Sequence, residues 1–166
     1  MRKISSIVIL LLLIFKTSLA SAYSTDPKMF VEELVNDAIN KLSDKNLNKE
    51  EKASFIENLA LENIDIDALG LYTLGELRKS ADKNDIIKYK LAFKEYFLKN
   101  LTSRLTDYSS NKFEVIEAEK KSSNYTIVKS KIAKSENQPE IKIDWRIYTK
   151  NPEKPLIRDL IVEGLS

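Results

Sequence analysis

The feature that most constrains the fold is a change of hydrophobic period near Lys112. Before this residue, apolar side chains recur every three or four positions, which is typical of amphipathic helices. After it, apolar and polar side chains alternate, which is typical of strands with one buried face. Because the helices come first and the strands second, the order predicts an α+β fold in which helices pack on one face of a curved sheet.

Four helices are predicted from their start signals and apolar spacing. The starts are Asp26-Pro27, Asn48 with Glu51 as a capping box, Asp65 or Asp67, and Asp82. Gly75 is placed to end the third helix or to let another element pack closely. The fourth helix is expected to run to about Tyr108, a length of about 36 Å that would cross a whole domain.

Four strands are predicted between clusters of turn residues. They cover about residues 113–119, 125–133, 141–148 and 156–163. The third strand has the clearest alternation, with Ile141, Ile143, Trp145 and Ile147 on one face. The short connections predict an antiparallel four-stranded meander.

The absence of cysteine and histidine removes most catalytic and metal chemistry. It excludes a thiol nucleophile, a Ser-His-Asp triad and the usual zinc ligand sets. With only three glycines there is no Gly-rich phosphate loop. The 27 basic and 25 acidic residues nearly balance, so no nucleic-acid partner is expected.

Paired carboxylates are the catalytic option that remains. The candidate pairs are Glu50 with Glu51, Asp65 with Asp67, and Asp159 with Glu163. None lies in a known catalytic motif, and helix caps or solvated faces explain most of them. We therefore expect no catalytic residue.

Residues 1–22 have the composition of a secretory signal peptide. Arg2 and Lys3 form a positive start, Ile7–Phe15 is an apolar run, and Ala20–Ala22 supplies the small residues of a cleavage site. A spanning helix needs about 20 apolar residues, which this run does not provide. We expect cleavage after Ala22 and export of residues 23–166 as a single domain.

The apolar stripe of the long helix is predicted to face the apolar side of the sheet, and this contact is compatible with either an ordinary core or a ligand cavity. The residues expected to line such a cavity are Leu74, Phe93, Phe97, Leu101, Ile127, Ile141, Ile143, Trp145 and Ile147. An exported chain without reactive side chains favours a protein that binds a ligand over one that transforms it.

Several short motifs together resemble one family. They are Leu74-Gly75, Lys79-Ser80-Ala81, Phe93-Lys94-Glu95-Tyr96, Tyr108, Thr126-Ile127-Val128, Ile143-Asp144-Trp145 and the closing run from Asp159 to Ser166. In this order and spacing they resemble the MlaC family, also called toluene-tolerance auxiliary proteins. The likeness covers the chain from about Pro27 to its last residue.

The resemblance implies a monomeric periplasmic protein that binds phospholipid in an apolar cavity. Such a protein shuttles lipid between an outer-membrane lipoprotein complex and an inner-membrane ABC transporter with an MCE-domain component, which maintains lipid asymmetry. It needs no cofactor, metal or catalytic residue. The signature residues are then structural, and they are Gly75, Tyr108, Asp159, Glu163 and Gly164.

The resemblance is incomplete at the end of the chain, because the family continues into a C-terminal helical segment beyond the position of Ser166. This indicates either a shortened member or a fragment. Two other functions remain open. One is a small-molecule-binding or enzymatic domain with a cone-shaped pocket, for which the polar candidates are Tyr89, Tyr96, Tyr108 and Asp144. The other is an adaptor that carries no ligand.

Overall fold

The structure is a computed structural model that describes residues 23–106, 112–134 and 139–165. Within these ranges there are five helices, α1 (Pro27–Ser43), α2 (Lys49–Asn63), α3 (Ile66–Thr73), α4 (Leu77–Ser80) and α5 (Lys83–Leu105). Four strands follow, β1 (Phe113–Lys120), β2 (Tyr125–Ile132), β3 (Ile141–Tyr148) and β4 (Leu156–Val162). The predicted signal peptide, Tyr108 and Ser166 lie outside the described residues.

The helices begin where polar side chains can accept hydrogen bonds from free backbone N–H groups. The Asn48 side chain accepts from the Glu51 N–H, and the Glu51 carboxylate accepts from the Asn48 N–H, both at 2.9 Å. Asp65, rather than Asp67, caps α3, and Asp82 caps α5. The start signals therefore predict these helices correctly, whereas the short α4 has no strong sequence signal.

The four strands pair antiparallel in the order β1-β2-β3-β4, as the meander predicts. One irregularity lies in the β3–β4 ladder, where Arg146 is opposite Asp159 while Ile147 is opposite Ile157. Arg158 is the extra residue of this bulge, and it shifts the face to which later β4 side chains point. The predicted α+β class with helices on one side of an antiparallel sheet is confirmed.

The main core lies between α1 and the sheet. Phe30 and Val31 of α1 are fully or almost fully buried against Val128, Ile147 and Ile157 of the inner sheet face. A second, smaller core joins α2, α3 and α5 through Ala60, Ile66 and Leu98. The helices thus form two packing units: the first packs against the inner face of the sheet, and the second joins the helices to one another.

Among the described residues, no helix combines the length and the hydropathy required to cross a bilayer.

Candidate functional site

An apolar cavity of about 270 Å³ lies between the helices and the inner face of the sheet. Its helical wall comes from the second half of α1, from α2 and from the end of α5. The residues on this wall are Leu34, Val35, Ala38, Ile39, Leu42, Ile56, Leu59, Ala60, Ile64, Leu101 and Leu105. Its sheet wall is formed by Phe113, Ile132, Ile143, Trp145, Ile157, Leu160 and Val162. Every lining side chain is apolar, so the cavity can hold hydrocarbon but offers no side-chain hydrogen bond.

The cavity is deep at one end and open at the other. On β3, Ile147 is 0% exposed and Trp145 is 8% exposed, whereas Val162 on β4 is 41% exposed. Val162 lies opposite Ile143 in the sheet, at the end where β3 begins and β4 finishes. The burial gradient therefore runs from a mouth near Val162 to a closed end beneath Trp145.

The indole ring of Trp145 is held in place at this closed end. Its Nε1–H donates to Ser130 Oγ at 2.7 Å, and Ser130 Oγ donates to the Ile143 carbonyl oxygen at 3.0 Å. Phe113 packs edge-on against the indole, with 6.2 Å between ring centroids. Both buried polar groups are satisfied within the sheet, so the ring can form part of an apolar wall at no hydrogen-bonding cost.

The structure brings together only part of the predicted lining. Leu101, Ile143 and Trp145 line the cavity. Ile141 and Ile147 share the inner face of β3 but are not among the lining residues, and Ile147 belongs to the core beneath the closed end.

Ile127, predicted to line the cavity, does not line it in this structure. Side chains alternate along β2, and the inward positions belong to Thr126, Val128 and Ser130, all of which are buried. Ile127 instead lies in a shallow depression on the outer sheet face, beside Asp144 and Arg146. The inner face of β2 thus carries two small polar side chains beside Val128, a pattern that hydrophobicity alone does not predict.

Phe93, Phe97 and Leu74, also predicted to line the cavity, do not line it in this structure. Phe93 stacks on Phe97 with 6.0 Å between ring centroids, and both belong to the core shared by α2, α3 and α5. Leu74 is the C-terminal cap of α3 and does not line the cavity. Periodicity indicates an apolar stripe on α5 but does not show that Phe93 and Phe97 pack in the core shared with α3, while Leu101 in the last turns reaches the cavity.

Most of the helical wall was missed as a site. The α1 spacing that includes Leu34, Ala38 and Leu42 was visible in the sequence, but it is equally consistent with a solid core. The small side chain of Ala38 at the centre of this row is the one available signal, since it leaves space that a larger residue would fill.

The family model of the MlaC protein matches residues 32–166. The chain belongs to the MlaC family. A similar solved structure is that of the phospholipid-binding protein from Ralstonia solanacearum in complex with a phospholipid. It is 16% identical, with a TM-score of 0.64 over 81% of this chain and 76% of that chain. No curated protein matches this sequence.

The described MlaC signature residues make structural contacts. Gly75 and Gly164 have φ angles of 53° and 80°, in the left-handed region that glycine adopts without strain. Asp159 Oδ2 lies 3.4 Å from Arg146 Nη1, and Asp159 Oδ1 accepts from the Leu160 N–H at 2.9 Å. Glu163, with a φ of 51°, accepts a hydrogen bond from the Lys142 N–H. Glu163 and Gly164 thus shape the turn after β4. Asp159 instead pairs within the β3–β4 ladder, and Gly75 follows the C-terminal cap of α3.

The polar candidates for an enzymatic pocket lie elsewhere. The Tyr89 hydroxyl is 2.6 Å from Thr73 Oγ1, Tyr96 is exposed, and Asp144 belongs to the outer sheet face. Of the carboxylate pairs, Glu51 belongs to a capping box and Asp67 pairs with Lys90. In the described ranges, none of these side chains reaches the cavity, and no cluster of metal-ligating side chains occurs.

Proposed function

We propose that this protein binds a phospholipid, with an acyl chain inside the cavity and the head group at the mouth near Val162. The observation that carries the proposal is a cavity lined entirely by apolar side chains in a member of the MlaC family. A related fold in Ralstonia solanacearum is described as phospholipid-binding. In this proposal the protein acts as a carrier and not as an enzyme.

The energetics favour hydrocarbon in this cavity. Each methylene removed from water is worth about 0.8 kcal/mol, so one 16-carbon chain represents about 12 kcal/mol. Neither the lining nor the ligand needs a hydrogen bond for this gain, and the head group keeps its hydration at the mouth.

The cavity volume bears on how the lipid enters. Small-molecule pockets commonly measure about 300–1,000 Å³, whereas this cavity measures about 270 Å³. A whole phospholipid is therefore larger than this cavity, so binding requires part of the lipid to remain at the mouth or the walls to separate. The aliphatic lining itself holds no directional bond between the two walls, whereas the Ile64–Ile157 bridge beside it resists their separation.

Family membership and the sequence support a proposed cellular role. Residues 1–22 would direct export and be cleaved after Ala22, and residues 23–166 would act in the periplasm as one lipid-binding domain and as a monomer. The carrier would exchange phospholipid with an outer-membrane lipoprotein complex and with an inner-membrane ABC transporter that has an MCE-domain component. The carrier would need no cofactor and no ATP of its own, because direction would come from its partners' affinities and from hydrolysis by the transporter.

Native mass spectrometry of protein purified from a bacterial periplasm tests this function. We expect a mass increment equal to a phospholipid, and organic extraction identifies the lipid. Ala38→Phe, which fills the cavity from α1, should reduce the bound fraction strongly, and Ala92→Phe on the exposed side of α5 is the matched control.

Other masses would contradict the proposal. A small polar ligand would favour the cone-shaped binding or enzymatic domain, and an empty protein would favour the adaptor. Equal lipid loading of the two phenylalanine variants would show that lipid binds outside this cavity.

A further inference from the structure

The first half of α5 exposes an apolar face. Ile87 is 56% exposed and Leu91 is 67% exposed, and their spacing of four residues makes them neighbours on the helix surface. The same stripe continues to Leu98, which is buried against Ala60 and Ile66. The apolar stripe of α5 is therefore covered by α2 and α3 near Leu98 but exposed at Ile87 and Leu91.

Lysines surround this exposed pair. Lys83 lies one turn before Ile87, Lys88 follows it directly, and Lys94 lies one turn after Leu91. Lys88 is 3.4 Å from Asp85, so these two charges offset each other and Lys83 and Lys94 carry the positive charge of this face. The face combines two exposed aliphatic side chains with positive charges on both sides.

The charged residues are also distributed unevenly between the helices. Residues 76–105, which contain α4 and α5, carry eight basic and four acidic residues, a net charge of +4. Residues 26–75 carry five basic and eleven acidic residues, a net charge of −6. An anionic surface would therefore attract the α5 side of the molecule and repel the α1–α3 side.

We infer that the face formed by Lys83, Ile87, Leu91 and Lys94 docks on the surface of an anionic phospholipid bilayer. Lysine is depleted in protein–protein interfaces, whereas lysines beside exposed aliphatic residues are typical of helices that lie in the membrane interface. The aliphatic side chains would enter the head-group region, and the lysines would contact lipid phosphates. The docking face does not include the cavity, so this inference holds whether or not the cavity carries lipid.

Co-sedimentation of the full mature protein with two kinds of vesicle tests the inference. One kind contains phosphatidylcholine alone, and the other contains phosphatidylcholine with phosphatidylglycerol. We expect binding to the anionic vesicles that weakens as salt concentration rises, because the lysine contribution is screened. Binding to the neutral vesicles should be much weaker.

Variants test whether this face, and not another part of the surface, binds the vesicles. One double variant is Lys83→Glu with Lys94→Glu, and the other is Ile87→Ser with Leu91→Ser. Each should lower the affinity for anionic vesicles about tenfold or more. For the lysines this follows because one lysine at such a surface is worth about a fivefold change in affinity. Met29→Ser with Leu61→Ser removes exposed apolar side chains from α1 and α2 and should leave affinity unchanged. Because all six positions are exposed, circular dichroism should show intact folds.

Three results would overturn the inference. They are equal binding of the wild type to both kinds of vesicle, no binding to either, and unchanged binding of the α5 variants. Self-association that depends on Ile87 and Leu91 would assign the face to a second copy of the chain instead. A protein that docks on vesicles but has no lipid in its cavity would refute the carrier function alone.

Discussion

Arg158 of β4 binds Asp65, the residue that caps α3. Its Nε–H donates to Asp65 Oδ2 at 2.8 Å, and its Nη2 lies 2.7 Å from the same oxygen. The guanidinium carbon lies 3.4 Å from the Tyr148 ring centroid. Directly beside this pair, Ile64 and Ile157 form a parallel bridge, and both line the cavity. The ion pair therefore joins the helical and sheet walls of the cavity.

Substitution of Asp65 separates its two roles. Asp65→Asn keeps an oxygen that can accept from the Ala68 N–H but loses the negative charge, and we expect the free energy of unfolding to fall by about 1 kcal/mol. Asp65→Ala also loses the cap, so the loss should reach about 2 kcal/mol. Urea denaturation measures both. Equal losses in the two variants would show that the cap contributes nothing.

Gly70 allows α3 and α5 to approach. A β-carbon at this position would lie 2.8 Å from Phe93 Cδ1, which is closer than real side chains pack. Although alanine favours helices, we expect Gly70→Ala to lower the free energy of unfolding by about 1–2 kcal/mol because of this overlap.

A second change identifies the cause of that loss. Phe93→Leu in the Gly70→Ala background should recover part of the stability. At Gly75 a β-carbon meets no atom within 4 Å, and Gly75→Ala is destabilising only through its φ of 53°. That cost, about 1 kcal/mol, should not respond to Phe93→Leu.

Ile143 and Ile127 lie on neighbouring strands but on opposite faces of the sheet, which makes them a matched pair. Ile143→Asp places a charge in the cavity, and a buried unpaired charge costs several kcal/mol, so co-purified phospholipid should be lost. Ile127→Asp places the same charge on the outer face and should leave lipid content unchanged. Lipid per folded molecule is measured by extraction. Full loading of Ile143→Asp would mean that this wall does not contact lipid.

Asp159 is expected to act in structure and not in catalysis. Asp159→Asn keeps an oxygen for the Leu160 N–H but weakens the attraction to Arg146. We expect the melting temperature to fall by about 4 °C with lipid content nearly unchanged. Calorimetry measures the melting temperature, and extraction measures the lipid content. Unchanged stability together with loss of turnover of a defined substrate would instead indicate an enzyme.

The free energy of unfolding is expected to depend on Tyr23 at high pH. Partial burial, followed by the hydrogen bond that its hydroxyl donates to Asp37 Oδ2 at 2.7 Å, raises the pKa of Tyr23 above its ordinary value. A raised pKa in the folded state stabilises the fold below the unfolded-state pKa of about 10, and this contribution is lost as pH rises beyond it. Between about pH 9 and 11 the wild type should therefore lose more stability than Tyr23→Phe. Parallel losses in urea titrations would contradict this.

The sequence predicts the fold well because its signals are local. The Asn48–Glu51 capping box, the Asp82 cap and the alternation from Ile141 to Ile147 each depend on residues close in the chain. Such signals identify the elements, and short connections between strands leave few ways to order a sheet.

The cavity lining is less predictable from the sequence because it depends on how the helices pack against one another. Phe93 and Leu101 occupy one apolar stripe of α5, yet Phe93 packs on α3 while Leu101 faces the cavity. The bulge at Arg158 likewise moves Ile157 and Leu160 to the same face although they are three residues apart. These are relationships between distant segments, which periodicity within one segment does not contain.

The closed end of the cavity has a consequence for the choice of lipid. Trp145 is fixed by its hydrogen bond to Ser130, and Ile147 beneath it is fully buried, so the depth available to a hydrocarbon chain is set by the sheet. Any methylene beyond this depth would remain in water at a cost of about 0.8 kcal/mol. A carrier built in this way would distinguish phospholipids by the length of their tails even if it accepted every head group.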